Sequence, residues 1–447
     1  MSVDLQEHPQ VSDTLPLEWK YISEGGATIV FSYEGPPDPR FDGMVLRLRK
    51  CAAGTEPEIQ YDEPDDPMIE YQRKCMERLF PRAHLPRLCS AIVDEPWLRA
   101  LAVAHESSRP ADRRHTDHID YSRTKAVLAT DLIGSEGLAI EIKPKWGFLP
   151  SPHHLSSRTR EIKRQTCRFC MHSRMKAAQG DHAGVGYCPL DLFSGQADRM
   201  ESAVEGLWEA WLSSEGAINN MKVFVDGQVI KPNRISILAG KLNQGESDLN
   251  VLRDSFTSTY LPLLVETPVL ATLSKLQRTL DVLDIEGLSA LWHRTLLSYT
   301  DTHAGPDDDE VPLSPVGQSS PLFSSPDPTM KEWAEFLDTY LSHHAMTEPD
   351  MEDKQRMNYA RPRSADLRYY LIAYLLSATF KDCSIIIKPA LGGVNAGEPA
   401  QGKVTVIDLD PKSMDRLRKW EKLDQEIAES YSQVDASDRK VCVDSNL

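Results

Sequence analysis

Alternating apolar and polar positions predict β-strands near the start of the chain. The segments YISEGGATIVFSY and GMVLRLRK are rich in β-branched and aromatic residues, and Gly25-Gly26 supplies a tight turn inside the first segment. A Pro- and acid-rich stretch (residues 52–66) leads to a helix beginning at Pro67, with Asp66 as its N-cap. This part of the chain therefore predicts a small β-rich region with one helix.

The rest of the chain mixes strands with longer helices. TKAVLATDLIG and LAIEIKPK read as strands, NNMKVFVDGQVI as a hairpin with Asp226-Gly227 at its turn, and residues 156–176 as one helix. Helical patterns occupy residues 254–298 and the apolar segment after Ser364, before a closing hairpin and a last helix near residues 413–431. The helix at 156–176 carries a basic residue at every fourth position, which predicts a broad basic surface. These positions are Arg160, Arg164, Arg168, His172 and Lys176.

Together these elements predict an α+β protein of two lobes with a polar tail at each end. The expected parts are a tail at 1–18, a small N-terminal lobe at 19–135, a larger C-terminal lobe at 136–432 and a tail at 433–447. Residues 301–329 are acidic and rich in Pro and Ser, so they are interpreted as a solvated insertion.

Composition narrows the class of protein. Of 447 residues, 40% are apolar and 26% charged, which is typical of a soluble globular protein. No apolar run approaches the ~18 residues of a membrane span, and MSVDLQEHPQ lacks a signal-peptide pattern. Eight cysteines in so long a chain do not predict a disulfide framework. We therefore expect a protein of the nucleus or cytoplasm with no membrane partner.

Charge is unevenly distributed along the chain. The net formal charge is −17, yet residues 141–176 contain nine Lys or Arg against two Glu, a local net charge of 9 − 2 = +7. A charge run is usually a solvated face, but one that opposes the overall charge favours a local anion site. The negative total disfavours nucleic acid as a partner.

The closing hairpin places acidic residues at one edge. If SIIIK pairs antiparallel with KVTVIDLD, Asp382 comes close to Asp408 and Asp410. Phosphoryl transfer needs one carboxylate to accept a hydroxyl proton and another to hold Mg²⁺. The alternative is that these are ordinary turn residues or helix caps.

Two further segments could contact phosphates. Gly25 and Gly26 leave backbone N–H groups open to phosphate oxygens, and Arg47 or Arg49 in VLRLRK could reach the same group. A hairpin turn without a ligand and solvated arginines are the alternatives. In EIKPK, the proline favours an extended backbone from which Lys143 and Lys145 project in one direction.

A group of cysteines and histidines follows. Cys167-x-x-Cys170, with His172, His182 and Cys188 downstream, could supply tetrahedral zinc ligands. Only one Cys-x-x-Cys pair is present, so the spacing is incomplete as a zinc signature. Free buried cysteines are the alternative.

Taken together, the motifs resemble those of the inositol-pentakisphosphate 2-kinase family. EGGATIVFSY, VLRLRK, EIKPKWGFLP, CRFCMHSRMK, YCPLDLFSG, NNMKVFVDG, KDCSIII and VIDLDPK occur in the family's order between about residues 24 and 416. The resemblance implies a two-lobed, protein-kinase-like fold with ATP between the lobes and a basic inositol phosphate pocket on the C-terminal lobe. It implies ATP-dependent phosphorylation of the 2-hydroxyl of inositol 1,3,4,5,6-pentakisphosphate.

The resemblance also assigns roles to individual residues. It implies that Asp382 is the general base and Asp408 the Mg²⁺ ligand, with Asp410 as a second metal candidate. The implied substrate-binding residues are Lys143, Lys145, Arg168, Lys176, Asn219, Asn220, Lys412 and Arg416. The implied ATP-binding residues are Gly25, Gly26, Arg47, Asp131 and Glu141. Zinc on Cys167, Cys170, His182 and Cys188 is not matched by the family pattern and rests on the residues alone.

The chain departs from the family pattern at some positions. Lys222 stands where an arginine often follows the paired asparagines, and lysine cannot reproduce a bidentate phosphate contact. An arginine from residues 105–123 is also expected at the substrate, and Arg109, Arg113 and Arg114 are equal candidates. We expect a monomer whose partners are inositol pentakisphosphate and ATP.

Three other function classes each conflict with one feature of the sequence. A non-catalytic sensor of inositol phosphates would need no magnesium carboxylate. A nucleic-acid module with a zinc knuckle conflicts with the charge of −17. A protein kinase is disfavoured because the HRD and DFG sequences are absent.

Overall fold

The structure is a computed structural model that describes residues 8–54, 63–134, 136–180, 186–242, 248–300, 325–345, 361–390 and 401–445. Its strands are β1 (Trp19–Glu24), β2 (Thr28–Tyr33), β3 (Met44–Ala52), β4 (Leu88–Ile92), β5 (Asp117–Ile119), β6 (Lys125–Thr130), β7 (Leu138–Ile142), β8 (Met221–Val225), β9 (Gln228–Ile230), β10 (Ser384–Pro389) and β11 (Gly402–Ile407). Its helices are α1 (Pro67–Tyr71), α2 (Glu77–Leu79), α3 (Glu95–His105), α4 (Ala111–Arg114), α5 (Arg160–Lys163), α6 (Arg168–Ala178), α7 (Pro189–Leu192), α8 (Ala197–Ser213), α9 (Ile235–Lys241), α10 (Leu249–Glu266), α11 (Val269–Leu280), α12 (Asp284–Thr300), α13 (Met330–Ala345), α14 (Leu367–Asp382) and α15 (Arg416–Ser432).

The chain divides into two compact units and contains two sheets. One unit comprises residues 1–139 and 223–230, and the other residues 140–222 and 231–447. The first sheet has the order β1-β2-β3-β6-β4, with β5 paired to β3, and the second has the order β11-β10-β7-β8-β9. Helices and antiparallel sheets in one chain confirm the predicted α+β class. Within the described residues, no helix is long and apolar enough to cross a membrane.

The first unit is built on the strands expected near the start of the chain. In β3, Leu46 and Leu48 are buried while Arg47 and Arg49 are half-buried, as strand alternation requires. Trp19 of β1 packs into the same core. The predicted cap of α1 is confirmed, because the side chain of Asp66 accepts a hydrogen bond from a backbone N–H in the first turn.

The second unit is organised around α14, which is buried along most of its length because its residues are apolar on every side. Helix α14 packs against α11 and α12. It ends at Asp382, and β10 begins two residues later with Ile385, Ile386 and Ile387 all buried. A rigid helix and a buried strand therefore fix the position of Asp382.

The predicted single helix over residues 156–176 is wrong. The chain forms α5 and α6 instead, with a break that holds Thr166 and Cys167. The Thr166 hydroxyl donates to the carbonyl of Lys440 at 2.6 Å, and the Cys167 thiol caps α6 by accepting from the backbone N–H of Cys170. One long-range bond and one local cap therefore stabilise the break, so the basic residues do not form one continuous helical surface.

The described parts of the two expected tails pack against their units. In residues 8–18, Val11 is fully buried in the core of the first unit. Near the other end, Cys442 is buried, and the Asp444 carboxylate pairs with Arg278 at 2.6 Å. Both segments look polar because their few buried residues are isolated in sequence. Most of the expected insertion, residues 301–324, lies outside the described residues.

Candidate functional site

Two carboxylates flank the β10–β11 hairpin at one edge, one before β10 and one after β11. The strands pair antiparallel with Ser384 opposite Ile407. Asp382 ends the helix that precedes β10, and Asp408 directly follows β11, so the predicted closeness of these chain positions is confirmed. Asp408 has a backbone φ of +59°, which turns the chain sharply out of the strand.

Three lysines surround this acidic pair. Lys143 Nζ lies 3.4 Å from Asp408 Oδ2. Lys145 Nζ lies 3.3 Å from Asp382 Oδ1, and Lys412 Nζ lies 3.4 Å from Asp382 Oδ2. The lysine side chains are only 17–18% exposed, whereas those of Asp382 and Asp408 are 57% and 47% exposed. The sequence hypothesis of a cationic group beside the acidic edge therefore agrees with this geometry.

Burial and charge act against one another in this group. Burial raises the pKa of a carboxyl, but Lys145, Lys412 and Lys143 together hold the pKa of Asp382 below its usual value. Burial lowers the pKa of Lys145 despite the neighbouring carboxylate. For Lys143 the carboxylates, chiefly Asp408, outweigh burial and raise the pKa. Asp382 is therefore ionised at neutral pH and can accept a hydrogen bond from a substrate hydroxyl.

Asn220 braces the EIKPK segment. Its backbone carbonyl accepts from the Lys143 N–H at 2.9 Å, and its side-chain amide donates to the Lys143 carbonyl at 3.2 Å. Asn220 is 8% exposed, whereas its neighbour Asn219 is exposed. In this structure Asn220 therefore acts on the backbone that carries the lysine, and Asn219 is the asparagine open to a ligand.

More positive charge gathers around His172 on α6. Burial, followed by the charges of Lys176, Arg168 and Lys145, lowers the pKa of His172 to about 4. Arg168 and Lys176 belong to α6 and Lys145 to the EIKPK segment, so cations of two segments act on this imidazole. The imidazole is therefore neutral at pH 7, and its ring nitrogens offer a hydrogen bond without adding charge. In the sequence, His172 stands out only as one member of the basic repeat at every fourth position. That repeat does not show where His172 lies relative to the lysines.

Arg168 is oriented by a buried network of ion pairs. Its Nε donates to Asp424 Oδ1 at 2.9 Å, and its guanidinium lies 4.8 Å from the centre of the Trp146 ring. Asp424 also accepts from Lys163 at 2.6 Å. The guanidinium therefore has a fixed orientation, and one of its donors is already used.

Three further residues predicted to bind substrate or metal are exposed. They are Asp410, Arg416 and Lys176.

Lys163 is the centre of that network, and we expect Lys163→Met to destabilise the protein. Its Nζ lies 2.8 Å from Asp284 and 3.2 Å from Glu286, in addition to Asp424, and the side chain is 3% exposed. Removing the cation takes the positive partner from Asp284 and Glu286, whose side chains are only 13% exposed, and leaves Asp424 with Arg168 alone. The free energy of unfolding should therefore fall by about 3–5 kcal/mol. Urea unfolding followed by circular dichroism measures the change.

The matched control is Lys331→Met on α13. Lys331 is 83% exposed and makes only a 3.6 Å helix-surface pair with Glu335. Its substitution should change the free energy of unfolding by about 0.5 kcal/mol or less. Equal effects of the two substitutions would contradict a special role for the buried lysine.

In the first unit, Gly25 and Gly26 form the predicted turn between β1 and β2, closed by a bond from the Gly25 N–H to the Thr28 carbonyl at 2.9 Å. Neither glycine has a positive φ, and a Cβ at either would meet no atom within 4 Å. The fold itself therefore does not require glycine here. Of the two strand arginines, Arg49 pairs with Asp66 at 2.6 Å, whereas Arg47 makes no ion pair with a described residue.

Asp131 is occupied in a turn of the first unit. One carboxylate oxygen accepts from Ser32 Oγ at 2.6 Å, and the other accepts from the N–H groups of Ile133 and Gly134. These bonds are typical of a structural Asx turn.

The arginine candidates of residues 105–123 are now distinguished. Arg109 is 4% exposed, and it pairs with Glu24 at 3.0 Å and with Asp117 at 2.7 Å. Arg114 is exposed and donates to two backbone carbonyls. Arg109 therefore anchors the strand that leads into the glycine turn, which leaves Arg113 and Arg114 as the candidates for a ligand.

Four cysteines of the second unit converge. The sulfur atoms of Cys167, Cys170, Cys188 and Cys442 all lie within 4.8 Å of one another. Cys188 Sγ lies 4.0 Å from that of Cys167 and 3.9 Å from that of Cys442. Four thiolates bound to one zinc at 2.3 Å would lie about 3.8 Å apart, so the spacing fits. His182 lies outside the described residues, and Cys442, which is 254 positions after Cys188, was missed in the sequence.

Comparison with known proteins gives a consistent answer. The family described as inositol-pentakisphosphate 2-kinase matches residues 21–426. An inositol-pentakisphosphate 2-kinase of Cryptococcus neoformans var. neoformans serotype D is 36% identical over 429 residues, which cover 93% of this chain and 94% of that protein. One of Oryza sativa subsp. indica is 26% identical over 472 residues, covering 93% of each. One of Danio rerio is 45% identical over 228 residues, covering 48% of this chain and 44% of that protein.

Proposed function

Since this chain belongs to the inositol-pentakisphosphate 2-kinase family, we propose that it transfers the γ-phosphoryl group of ATP to the 2-hydroxyl of inositol 1,3,4,5,6-pentakisphosphate. The products are inositol hexakisphosphate and ADP. The observation that carries the proposal is the meeting of two carboxylates, Asp382 and Asp408, with three lysines in one unit. A sensor that only binds an anion would need the lysines but not the exposed carboxylates.

The lysines and their neighbours bind the substrate phosphates. In the structure Lys145 and Lys412 pair with Asp382, and their contacts of 3.3–3.4 Å are long for ion pairs, so phosphate oxygens can compete for them. The remaining cations lie on α6 and at the start of α15. The proposed substrate-binding residues are Lys143, Lys145, Arg168, Lys176, Asn219, Asn220, Lys412 and Arg416.

Asp382 acts as the general base for the 2-hydroxyl. The hydroxyl oxygen attacks the γ-phosphorus, its proton passes to the Asp382 carboxylate, and the bond between the γ-phosphorus and the leaving ADP oxygen breaks. The transition state is loose, so positioning and charge neutralisation supply most of the acceleration. When substrate phosphates draw Lys145 and Lys412 away, the carboxylate loses two stabilising charges and becomes a stronger base.

Asp408 is the proposed Mg²⁺ ligand, with Asp410 as a second candidate. A carboxylate that is 47% exposed fits this ion, which prefers one or two carboxylates and the phosphates of the nucleotide. Mg²⁺, when bound, neutralises charge on the nucleotide phosphates. Lys143 beside Asp408 adds a positive charge on the protein side.

For ATP, we propose contacts by the glycine turn and Arg47 of the first unit and by Glu141 of the second. The open space above both glycines supports this role, because nothing in the fold excludes a side chain there. Asp131 is retained as a weaker candidate, since its oxygens are already used by the turn. The two-lobed, kinase-like arrangement, the monomeric state and a location in the nucleus or cytoplasm are parts of the same proposal.

We also propose one structural zinc ion on four thiolates, with Cys442 in the place first given to His182. The three remaining ligands are Cys167, Cys170 and Cys188. Four sulfur ligands with no open position are typical of a structural rather than a catalytic zinc site. Zinc here would fasten the C-terminal segment to the break between α5 and α6.

The proposed reaction is tested by the position of the new phosphate. The protein is incubated with ATP, Mg²⁺ and each inositol pentakisphosphate isomer in turn, and the products are separated and their ring positions assigned. Only the isomer with a free 2-hydroxyl should become inositol hexakisphosphate at a high rate. Binding of that isomer without any transfer would favour the sensor, and rapid transfer to other positions would overturn the assigned specificity.

A further inference from the structure

Ser384, the first residue of β10, touches two carboxylates that have separate proposed roles. Its Oγ lies 2.8 Å from Glu141 Oε1 and 2.9 Å from Asp408 Oδ2. β10 runs between β7, which carries Glu141, and β11, which ends before Asp408. The serine is fully buried. A small hydroxyl therefore joins the proposed nucleotide residue to the proposed metal ligand.

Ser384 has one hydroxyl proton for two neighbouring carboxylate oxygens. A hydroxyl has one proton to donate, and ionised carboxylates can only accept. Ser384 can therefore satisfy Glu141 or Asp408 at one moment, but not both. The unsatisfied contact sets two oxygen lone pairs against each other, which is unfavourable at about 2.9 Å. The hydroxyl can therefore adopt two orientations, one in which it donates to Glu141 and one in which it donates to Asp408.

The surroundings of the two carboxylates differ. The side chain of Glu141 is 9% exposed, and its other oxygen accepts from Lys222 at 2.8 Å. Asp408 is 47% exposed, its lysine lies farther away at 3.4 Å, and its backbone has a positive φ. Asp408 is thus the member of the pair that solvent and a cation can reach, and it depends more on Ser384 for its orientation.

We infer that Ser384 is a positioning residue whose hydroxyl holds the Asp408 carboxylate ready for the cation and donates to Glu141 once the cation binds Asp408. The inference rests on the metal and nucleotide roles proposed above. Ligand-holding hydrogen bonds of this kind change metal affinity by about 10–100-fold when removed. Cation binding at Asp408 would then also fix the carboxylate of Glu141, so metal and nucleotide binding become coupled.

The test is Mg²⁺-dependent binding of a non-hydrolysable ATP analogue, measured by calorimetry over a series of Mg²⁺ concentrations. Ser384→Ala should raise the Mg²⁺ concentration for half-maximal binding about tenfold. Ser384→Cys, whose thiol is a weak donor, should give a smaller rise in the same direction. Ser384→Cys also keeps the inference testable if Ser384→Ala does not fold.

Thr405→Val is the matched control. Thr405 lies on β11, is 1% exposed, and its hydroxyl has no hydrogen-bond partner among the described residues. It should leave the half-maximal Mg²⁺ concentration within about twofold of the parent. An unchanged Mg²⁺ dependence in both Ser384 variants, or equal changes in all three, would overturn the inference.

Asp408→Asn separates this inference from the function on which it rests. If Asp408→Asn abolishes the Mg²⁺ dependence while the serine variants do not alter it, only the role of Ser384 fails. If Asp408→Asn leaves the dependence as it is in the parent, the metal assignment itself is wrong, and the role of Ser384 falls with it.

Discussion

Asp382→Asn is expected to lower kcat about 1,000-fold while KM for inositol pentakisphosphate stays the same or falls. An amide cannot take the hydroxyl proton, and general bases contribute about 10²–10⁴-fold. The same change also removes the negative partner of Lys145 and Lys412, so both lysines become more available to substrate phosphates. Steady-state kinetics with the 2-hydroxyl isomer, at saturating ATP, measures both constants.

The split between the two constants separates a base from a residue that only binds. Asp198→Asn is a suitable control because Asp198 is an exposed residue of α8 in the same unit, and it should leave both constants unchanged. A parental kcat in folded Asp382→Asn protein would remove Asp382 from the chemistry. A raised KM with an unchanged kcat would make it a substrate ligand instead.

Cys442→Ser is expected to abolish zinc binding and to destabilise the protein by about 4 kcal/mol or more. A structural zinc on four thiolates contributes directly to folding, and loss of a metal is among the few single changes with effects of this size. The C-terminal segment should be held less tightly, because the zinc is lost and only contacts such as the bond from the Cys442 N–H to the Gln165 carbonyl at 2.8 Å and the Arg278–Asp444 pair remain. Zinc content by mass spectrometry and the free energy of unfolding in urea give the two readings.

The control for the loss of a buried thiol is Cys75→Ser. Cys75 is fully buried in the first unit and is not one of the four clustered cysteines, and burial raises the pKa of its thiol to about 12. Cys75→Ser should lower the free energy of unfolding far less than Cys442→Ser and should leave the zinc content unchanged. A parent protein that holds no zinc after expression in zinc-supplemented medium, or a Cys442→Ser variant of parental stability, would contradict the zinc proposal.

The parts of the site that sequence could predict are those fixed by local pairing. Asp382 and Asp408 had to approach one another once the last two strands formed a hairpin, because antiparallel pairing sets the partner of every residue. The pairing of Lys143 and Lys145 with this edge needed one more fact, that β7 lies beside β10. The family resemblance supplied the roles, but the hairpin pattern alone indicated the acidic pair.

The parts that sequence missed depend on contacts between distant segments. Cys442 was assigned to a polar tail, because its short apolar run VCV stands among polar residues and its buried partner Cys188 lies 254 positions away. The break after α5 was missed because Thr166 is stabilised by the carbonyl of Lys440, which no local pattern reveals. Arg109 could not be told from Arg113 and Arg114 until its buried partners were known.

A crystal structure of the protein with inositol pentakisphosphate and a non-hydrolysable ATP analogue measures the geometry on which the proposed catalysis depends. The 2-hydroxyl oxygen should lie within about 2.6–3.2 Å of an Asp382 carboxylate oxygen, in line with the γ-phosphorus, while Lys145 and Lys412 contact ring phosphates. A bound ring whose 2-hydroxyl is distant from Asp382, with both lysines still paired to that carboxylate, would show that the acidic edge and its lysines are not the catalytic centre.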